Sequence, residues 1–309
     1  MHPQLRERWA ISFTSVELVG FRRNVTMRIF GNQTWYVRLT PTSIRGIDAV
    51  RLELSLLSAL WKLGANVPCI VSSAADEQLE VISSLQGACS AVVFEASPGT
   101  QLQGSRLLAE PAACARWGRA CASVHRALTR IDDIGFPGME ERHLATLPMR
   151  DSDPDVRREV SAAARGLRAL PSAERQLVHG DLHRRNAIEY GESITFLDWE
   201  DACVGWPLQD AASAACHLAD GDLPNRVLTA ATFLSSFLRG YHEVAALSPT
   251  WREDLGALLR WREVETYAYI RDGVVRGVKG WDRSLREARE IVCRPAELGV
   301  GAAVFAVSL

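Results

Sequence analysis

One run in the chain combines residue types and spacing that could carry group-transfer chemistry. It is His179-Gly180-Asp181-Leu182-His183-Arg184-Arg185-Asn186, with Asp198 twelve residues beyond Asn186. Transfer of a phosphoryl group from ATP asks little covalent help of a protein. It needs positioning, metal ions that neutralise phosphate charge, and a carboxylate that accepts the proton of the attacking hydroxyl. In kinase catalytic loops four residues separate that proton-accepting Asp from a metal-binding Asn, and the same separation holds between Asp181 and Asn186.

A second metal ligand follows from counting along the chain. Ala187–Glu189 and Ile194–Leu197 read as short strands around the turn Tyr190-Gly191-Glu192-Ser193. Facing residues of an antiparallel pair have a constant sum of positions, and Asn186 and Asp198 share the sum set by residues 191 and 193. The pattern therefore faces an amide oxygen towards a carboxylate at the open end of the hairpin, and hard oxygen ligands suit Mg²⁺. A metal-dependent hydrolase is the rival reading. His179, Asp181 and His183 alternate, so on a strand they would share one face and could hold a transition metal. That reading leaves Asn186 and Asp198 without a purpose.

The elements that must position these residues fall into two blocks. Val25–Phe30 and Thr34–Leu39 are β-prone runs on either side of the turn signal Gly31-Asn32. Val50, Leu54, Leu57 and Trp61 form a helical stripe that stops at Gly64. Further strands are expected around Cys69–Ser72, Glu80–Ser84 and Ala91–Glu95, and Ser97-Pro98-Gly99 breaks the chain. Beyond residue 105 the pattern is mostly helical. Cys114, Trp117, Cys121, Val124 and Leu128 make a second stripe, Met149–Pro154 reads as loop, and 155–170 and 210–291 read as helices. The expectation is an α+β chain of two lobes, residues 1–97 and 98–309, with a hinge near 94–99.

Composition narrows the partners. The chain has 309 residues, a net charge of -2 and 23% charged residues, which argues against nucleic acid and against a polybasic membrane patch. No segment reads as a membrane span, and the apolar run Val300–Leu309 is too short for one. Seven cysteines without C-x-x-C spacing suggest buried thiols in a reduced cytoplasm. Only Lys62 and Lys279 are lysines, so roles that often fall to Lys must fall to Arg.

HGDLHRRN followed by Leu197-Asp198-Trp199-Glu200 resembles the signature of the aminoglycoside phosphotransferase and choline kinase-like kinases. Gly20 to Val25 resembles their phosphate-covering turn ending in Asn24, and Tyr36-Val37-Arg38-Leu39 their third strand. Val93-Phe94-Glu95 with Pro98-Gly99 resembles the hinge, Trp117-Gly118 to His125 the first large-lobe helix, and Gly205-Trp206-Pro207 with Asp210 the segment after the metal-binding Asp. The resemblance implies a bilobal protein-kinase-like fold, with ATP and Mg²⁺ as cofactors. It implies Asp181 as catalytic base and Asn186 and Asp198 as metal ligands. Arg38 would contact the α- and β-phosphates and pair with Glu53, and the backbone from Phe94 through Glu95 to Ser97 would bind adenine. Arg38 stands where the family often has Lys, and its planar fork reaches further and binds phosphate bidentately.

For the acceptor, a small molecule with a hydroxyl group is expected, an antibiotic first and an amino alcohol or homoserine second. A protein Ser/Thr and a non-catalytic nucleotide-binding role are the other readings. Candidate acceptor contacts are His183, Glu200, Asp201, Glu263 and Glu265, because acidic groups would orient a cationic acceptor. Trp206, Trp261, Tyr267 and Tyr269 could stack on a ring or belong to the core. His183 reads more readily as a structural residue, and His179 and His125 read as structural.

Overall fold

A computed structural model of the chain describes residues 2–21, 23–84, 87–133, 135–139, 153–218, 223–279, 281–294 and 300–307. By contact the chain divides into two compact units. The first comprises Met1–Thr100 with Ile188–Gly191 and Thr195–Glu200, and the second comprises Gln101–Ala187, Glu192–Ile194 and Asp201–Leu309. Asp198 thus belongs with the N-terminal unit, although Asp181 and Asn186 belong with the other.

The first unit is built on an antiparallel sheet. Strands β1 (Phe13–Phe21), β2 (Val25–Gly31) and β3 (Thr34–Pro41) form a meander, and β3 pairs with β6 (Gly87–Glu95). The same β6 also carries β4 (Ile70–Val71) and β5 (Glu80–Ser84). Alternation along β3 buries Trp35, Val37 and Leu39 on one face, where they meet Met27, Ile29, Ile82 and Val93. Helix α1 (His2–Trp9) closes this core with Leu5 and Trp9, and the Trp9 Nε1–H donates to Val71 O at 3.0 Å. Neither α1 nor β1 was expected. β1 has two register shifts and leaves Leu18, Val19 and Phe21 exposed, so no inside–outside alternation marks it in the sequence.

Helix α2 (Ile47–Lys62) buries Val50, Leu54 and Leu57 as the stripe requires, but Trp61 is 54% exposed. Glu53, Leu56 and Leu60 take the rest of the buried face, which rotates away from Trp61 in the last turn. The backbone then leaves the helix at Gly64 with φ +77°.

Helix packing dominates the second unit. The short strand β7 (Thr100–Gln101) and helix α3 (Gly104–Ala109) precede α4 (Pro111–Leu128), in which all five members of the expected stripe are buried. α4 packs on α7 (Leu223–His242), with the ring centroids of Phe233 and Phe237 5.4 Å and 5.9 Å from that of Trp117 in edge-on arrangements. Two glycines set how close the helices come. A Cβ on Gly118 would lie 1.9 Å from Phe237 O, and one on Gly240 would lie 2.0 Å from Ala115 O.

Helix α5 (Pro154–Arg168) starts on Asp153, whose carboxylate accepts from the N–H groups of Asp155 and Val156. Most of the loop expected at Met149–Pro154 lies outside the described residues. Strands β8 (Gln176–Val178) and β11 (Cys203–Gly205) pair, and β9 (Ala187–Tyr190) and β10 (Ser193–Phe196) form the expected hairpin. Helices α6 (Leu208–Leu218), α8 (Trp251–Val275) and α9 (Trp281–Val292) complete the unit. The C-terminal turn Val300–Ala306 packs by Val300, Ala303 and Val304. All seven cysteines are free thiols, and no helix among the described residues is long and apolar enough to cross a membrane.

Gly240→Ala forces a methyl group onto the Ala115 carbonyl. We expect it to destabilise the chain by about 1–3 kcal/mol, as overpacking of a tight contact does. The urea midpoint reports this, and an unchanged midpoint would contradict the close approach of α4 and α7.

Candidate active site

The loop that carries Asp181 is fixed before Asp181 itself is placed. β8 ends at Val178, and the next two residues give their N–H groups to one buried side chain, Asp210, in the first turn of α6. Asp210 Oδ2 accepts from His179 N and Oδ1 from Gly180 N, each at 2.9 Å. Its Oδ2 also accepts from His125 Nε2 at 2.9 Å, and His125 Nδ1 in turn accepts from the Tyr241 hydroxyl at 2.9 Å. His125 is therefore a satisfied core histidine, as expected. The bond to the carboxylate sets its tautomer, with the proton on Nε2.

Gly180 has φ +85°, and a Cβ there would lie 2.1 Å from Asp201 O. Both conditions select glycine, and the turn they create breaks any strand through 179–183. The alternation behind the hydrolase reading is lost with it. His179 Nδ1 instead accepts from the Asp181 N–H at 3.3 Å, which makes His179 a support of the loop. The chain then winds into a 3₁₀ turn, Arg184–Asn186, with His183 N on Asp181 O and Asn186 N on His183 O. Asn186 Nδ2 donates to Asp181 O at 3.0 Å. This bond settles which end of the amide is which. The nitrogen is held inside the loop and the oxygen is the acceptor end of the amide.

The Asp181 carboxylate sits among nitrogen-bearing groups. Its Oδ1 accepts from Arg262 of α8 and lies 3.5 Å from Ser213 Oγ, while its Oδ2 lies 3.6 Å from His183 Nε2. Burial alone would raise its pKa, but Arg262 above all, joined at acid pH by His183, His217 and His179 once they are protonated, holds it well below the usual carboxylate range. Asp181 is thus ionised at neutral pH, the state a proton acceptor needs. Burial and Arg262 push the His217 imidazole down to about 3, and burial also lowers that of His183. Both rings are neutral beside it. Arg262 is oriented from behind by Glu265, whose Oε2 is 3.2 Å from Nη1, and the Trp261 indole N–H holds the other Glu265 oxygen.

In the first unit, Arg38 of β3 and Glu53 of α2 form a two-bond pair of 2.7 Å and 2.9 Å. Their side chains are only 9% and 1% exposed. Burial opposes both charges, yet each partner stabilises the other's ionised form, so the Arg38 pKa rises and the Glu53 pKa falls. Arg45 also donates to Glu53 and, at 3.4 Å, to the carbonyl of Glu200. Asp198 lies 3.9 Å from Arg38 Nη1 and holds a left-handed backbone, φ +58°, between the buried side chains of Phe196 and Trp199. Such a conformation costs a non-glycine residue about 1–3 kcal/mol and marks a constrained position. Glu200 accepts from Asn24 Nδ2 at 2.7 Å. In the expected hinge, the N–H groups of Glu95 and Ala96 already donate to Cys69 O and Thr34 O.

The structure brings Arg38, Glu53, Asp198 and Glu200 together in one unit and Asp181, His183 and Asn186 in the other. Several expected acceptor residues are engaged elsewhere. Glu263 is 4% exposed, bonded to Arg260 and to Val300 N, so it braces the C-terminal turn and offers no carboxylate to a ligand. Glu200 is drawn to Asn24, and the Asp201 carbonyl packs against Gly180. Trp206, Trp261 and Tyr267 are core residues, and Tyr269 lies against Trp281.

Arg262, His217 and Arg45 were not singled out in the sequence. A signal for His217 does exist. Asp210, Ser213 and His217 are spaced to share one face of α6, the face that meets the loop. Arg262 carries no local signal, because its partner Asp181 is 81 residues away.

Replacing Arg262 by Met removes the strongest charge that opposes the effect of burial on Asp181. The Asp181 pKa then rises, and the acid limb of the kcat/KM–pH profile moves to higher pH. An acid limb that stays in place would contradict the assignment of Arg262 as the group that keeps Asp181 ionised.

Comparison with known proteins agrees with this geometry. The sequence profile of the phosphotransferase enzyme family matches residues 20–253, well over half of the chain. An amicoumacin kinase of Bacillus subtilis is 23% identical over 252 residues, which span 77% of this chain and 74% of that one. Among solved structures, an amicoumacin kinase with AMP-PNP, Ca²⁺ and amicoumacin superposes with a TM-score of 0.82 at 18% identity, over 94% of this chain and 92% of that one. A microcompartment-associated aminopropanol kinase gives 0.78 at 18% identity over 96% and 95%. A spectinomycin phosphotransferase with ADP and spectinomycin gives 0.66 at 12% identity over 98% and 96%. These structures share the α+β kinase-like fold. The chain belongs to the phosphotransferase enzyme family, and within it is a small-molecule kinase, an ATP-dependent phosphotransferase that acts on hydroxyl groups.

Proposed function

We propose that the chain transfers the γ-phosphate of ATP to a hydroxyl of a small antibiotic-like molecule, with Asp181 as the base. One observation carries the reading. A carboxylate kept ionised by Arg262 stands on a loop whose backbone is pinned by Asp210, so a proton acceptor is held ready in fixed geometry. The relatives that act on amicoumacin and spectinomycin support an antibiotic as acceptor. The likeness to an aminopropanol kinase favours a second reading, an amino-alcohol acceptor in metabolism. On either reading the reaction takes place in the cytoplasm.

Asn186 and Asp198, which flank the β9–β10 hairpin, are the proposed metal ligands. Their donor set fits a hard divalent cation. The Asn186 amide nitrogen is engaged by Asp181 O, so its oxygen is the ligand atom, and Asp198 supplies a carboxylate in a constrained conformation. Neighbours solved with AMP-PNP and Ca²⁺ or with ADP support nucleotide and divalent-cation use, and Mg²⁺ is the proposed ion. The ion would neutralise phosphate charge as it develops. Arg38, fixed by Glu53, would meet the α- and β-phosphates, and Phe94, Glu95 and Ser97 would border the adenine.

Incubation with γ-labelled ATP and panels of antibiotics, amino alcohols and a generic protein separates the acceptor classes. We expect label on an antibiotic hydroxyl, and label on protein alone would refute a small-molecule acceptor. Asp198→Asn should lower kcat by roughly 10²-fold or more, as loss of a group that acts on developing charge does. It should also raise the Mg²⁺ concentration needed for half-maximal rate. An unchanged Mg²⁺ dependence would remove Asp198 from the metal site.

A further inference from the structure

Two imidazoles converge on the Asp181 carboxylate and with it make three potential ligands of a softer metal ion, a set that does not include Asn186 or Asp198. Asp181 Oδ2 lies 3.6 Å from His183 Nε2, and Asp181 Oδ1 lies 3.9 Å from His217 Nε2. One ligand atom from each of the three residues falls within 4.8 Å of the others. Ligand atoms on a tetrahedral zinc ion with bonds of about 2.0–2.1 Å stand roughly 3.3–3.4 Å apart. Small side-chain movements would therefore close the set. One carboxylate and two imidazoles suit Zn²⁺ and disfavour Mg²⁺, which prefers an all-oxygen octahedron.

A second observation concerns what stands there now. Arg262 Nη2 bonds Asp181 Oδ1 and is 3.1 Å from His217 Nε2. A guanidinium can only donate, so His217 Nε2 must present its lone pair inwards, which is the state that binds a metal. The centre already holds a positive charge between two of its three ligands. The His217 side chain is 43% exposed, which gives an ion a route in and leaves a coordination position for solvent. Another group of comparable composition, Cys121, His125 and Asp210, lacks these features. It is wholly buried, and its His and Asp are bonded to each other and to backbone donors.

We infer that Asp181, His183 and His217 form an inhibitory Zn²⁺ site, in which the ion displaces Arg262 and occupies the carboxylate that the reaction needs. Binding is coordination alone, with no redox step. The consequence for catalysis rests on Asp181 being the base, whereas the binding does not, so the two can fail separately. Arg262 lies beyond the segment matched by the family profile, whereas Asp181, His183 and His217 lie within it.

Equilibrium titration with Zn²⁺ in excess Mg²⁺, read by competition with a chromophoric chelator, tests the binding. We expect one ion per chain, at least ~10-fold weaker binding in His217→Ala, and tighter binding in Arg262→Met. Co²⁺ in place of Zn²⁺ should give weak visible bands without the intense sulfur-to-cobalt absorption of thiolate ligands. Zn²⁺ at a concentration that fills the wild-type site should stop phosphoryl transfer there, and half-inhibition of His217→Ala, measured against that variant's own rate without Zn²⁺, should need at least ~10-fold more ion. Failure to bind, binding that His217→Ala leaves unchanged, or a sulfur-to-cobalt band would each overturn the site. If the ion binds as described and transfer continues, the site stands and its inhibitory role falls.

Discussion

The loop that carries Asp181 depends on a single buried carboxylate. Asp210 accepts the N–H groups of His179 and Gly180 and the ring N–H of His125, so one side chain fixes the backbone on the approach to Asp181. A buried carboxylate is costly to desolvate, and three donors at 2.9 Å are what make it tolerable. Because Asp210 opens α6, the same helix also sets Ser213 and His217 against Asp181. Structural support and site chemistry are thus two faces of one element.

Charge is arranged differently in the two units. In the first, Arg38 and Glu53 neutralise each other in a nearly solvent-free pair, with Arg45 as a second cation on the same carboxylate. A buried pair of this kind is a device for geometry more than for stability, since desolvation offsets much of its attraction. It fixes Arg38 on β3 and leaves it 3.9 Å from Asp198. In the second unit Arg262 plays the corresponding part for Asp181, held by Glu265 on one side and the Asp181 carboxylate on the other. Arginine fills both roles in a chain with two lysines, and its fork permits the two-point contact that each requires.

How much could be read from the chain depended on how local the signal was. HGDLHRRN and the hairpin after it were legible because turn, strand and ligand spacing lie within about twenty residues. The helical stripes of α2 and α4 were legible for the same reason, apart from Trp61, which the rotation of the buried face leaves outside. β1 was not legible, because its bulges break the alternation that marks a strand. Glu263 was misread because a carboxylate on a helix gives no sign of whether it faces a ligand or a buried N–H, here that of Val300. Arg262 could not be found at all. Its meaning arises only when α8 packs against α6, which is a fact of tertiary structure.

At the centre of the proposed function stands Asp181 as an ionised base held in a preformed loop. Its most direct test is single-turnover transfer from γ-labelled ATP by Asp181→Asn, with nucleotide binding and the unfolding midpoint measured alongside. That role predicts that chemistry falls by roughly 10²–10⁴-fold, the usual contribution of a general base, while nucleotide affinity and fold are kept. Transfer at the wild-type rate by a folded, nucleotide-binding Asp181→Asn chain would contradict it.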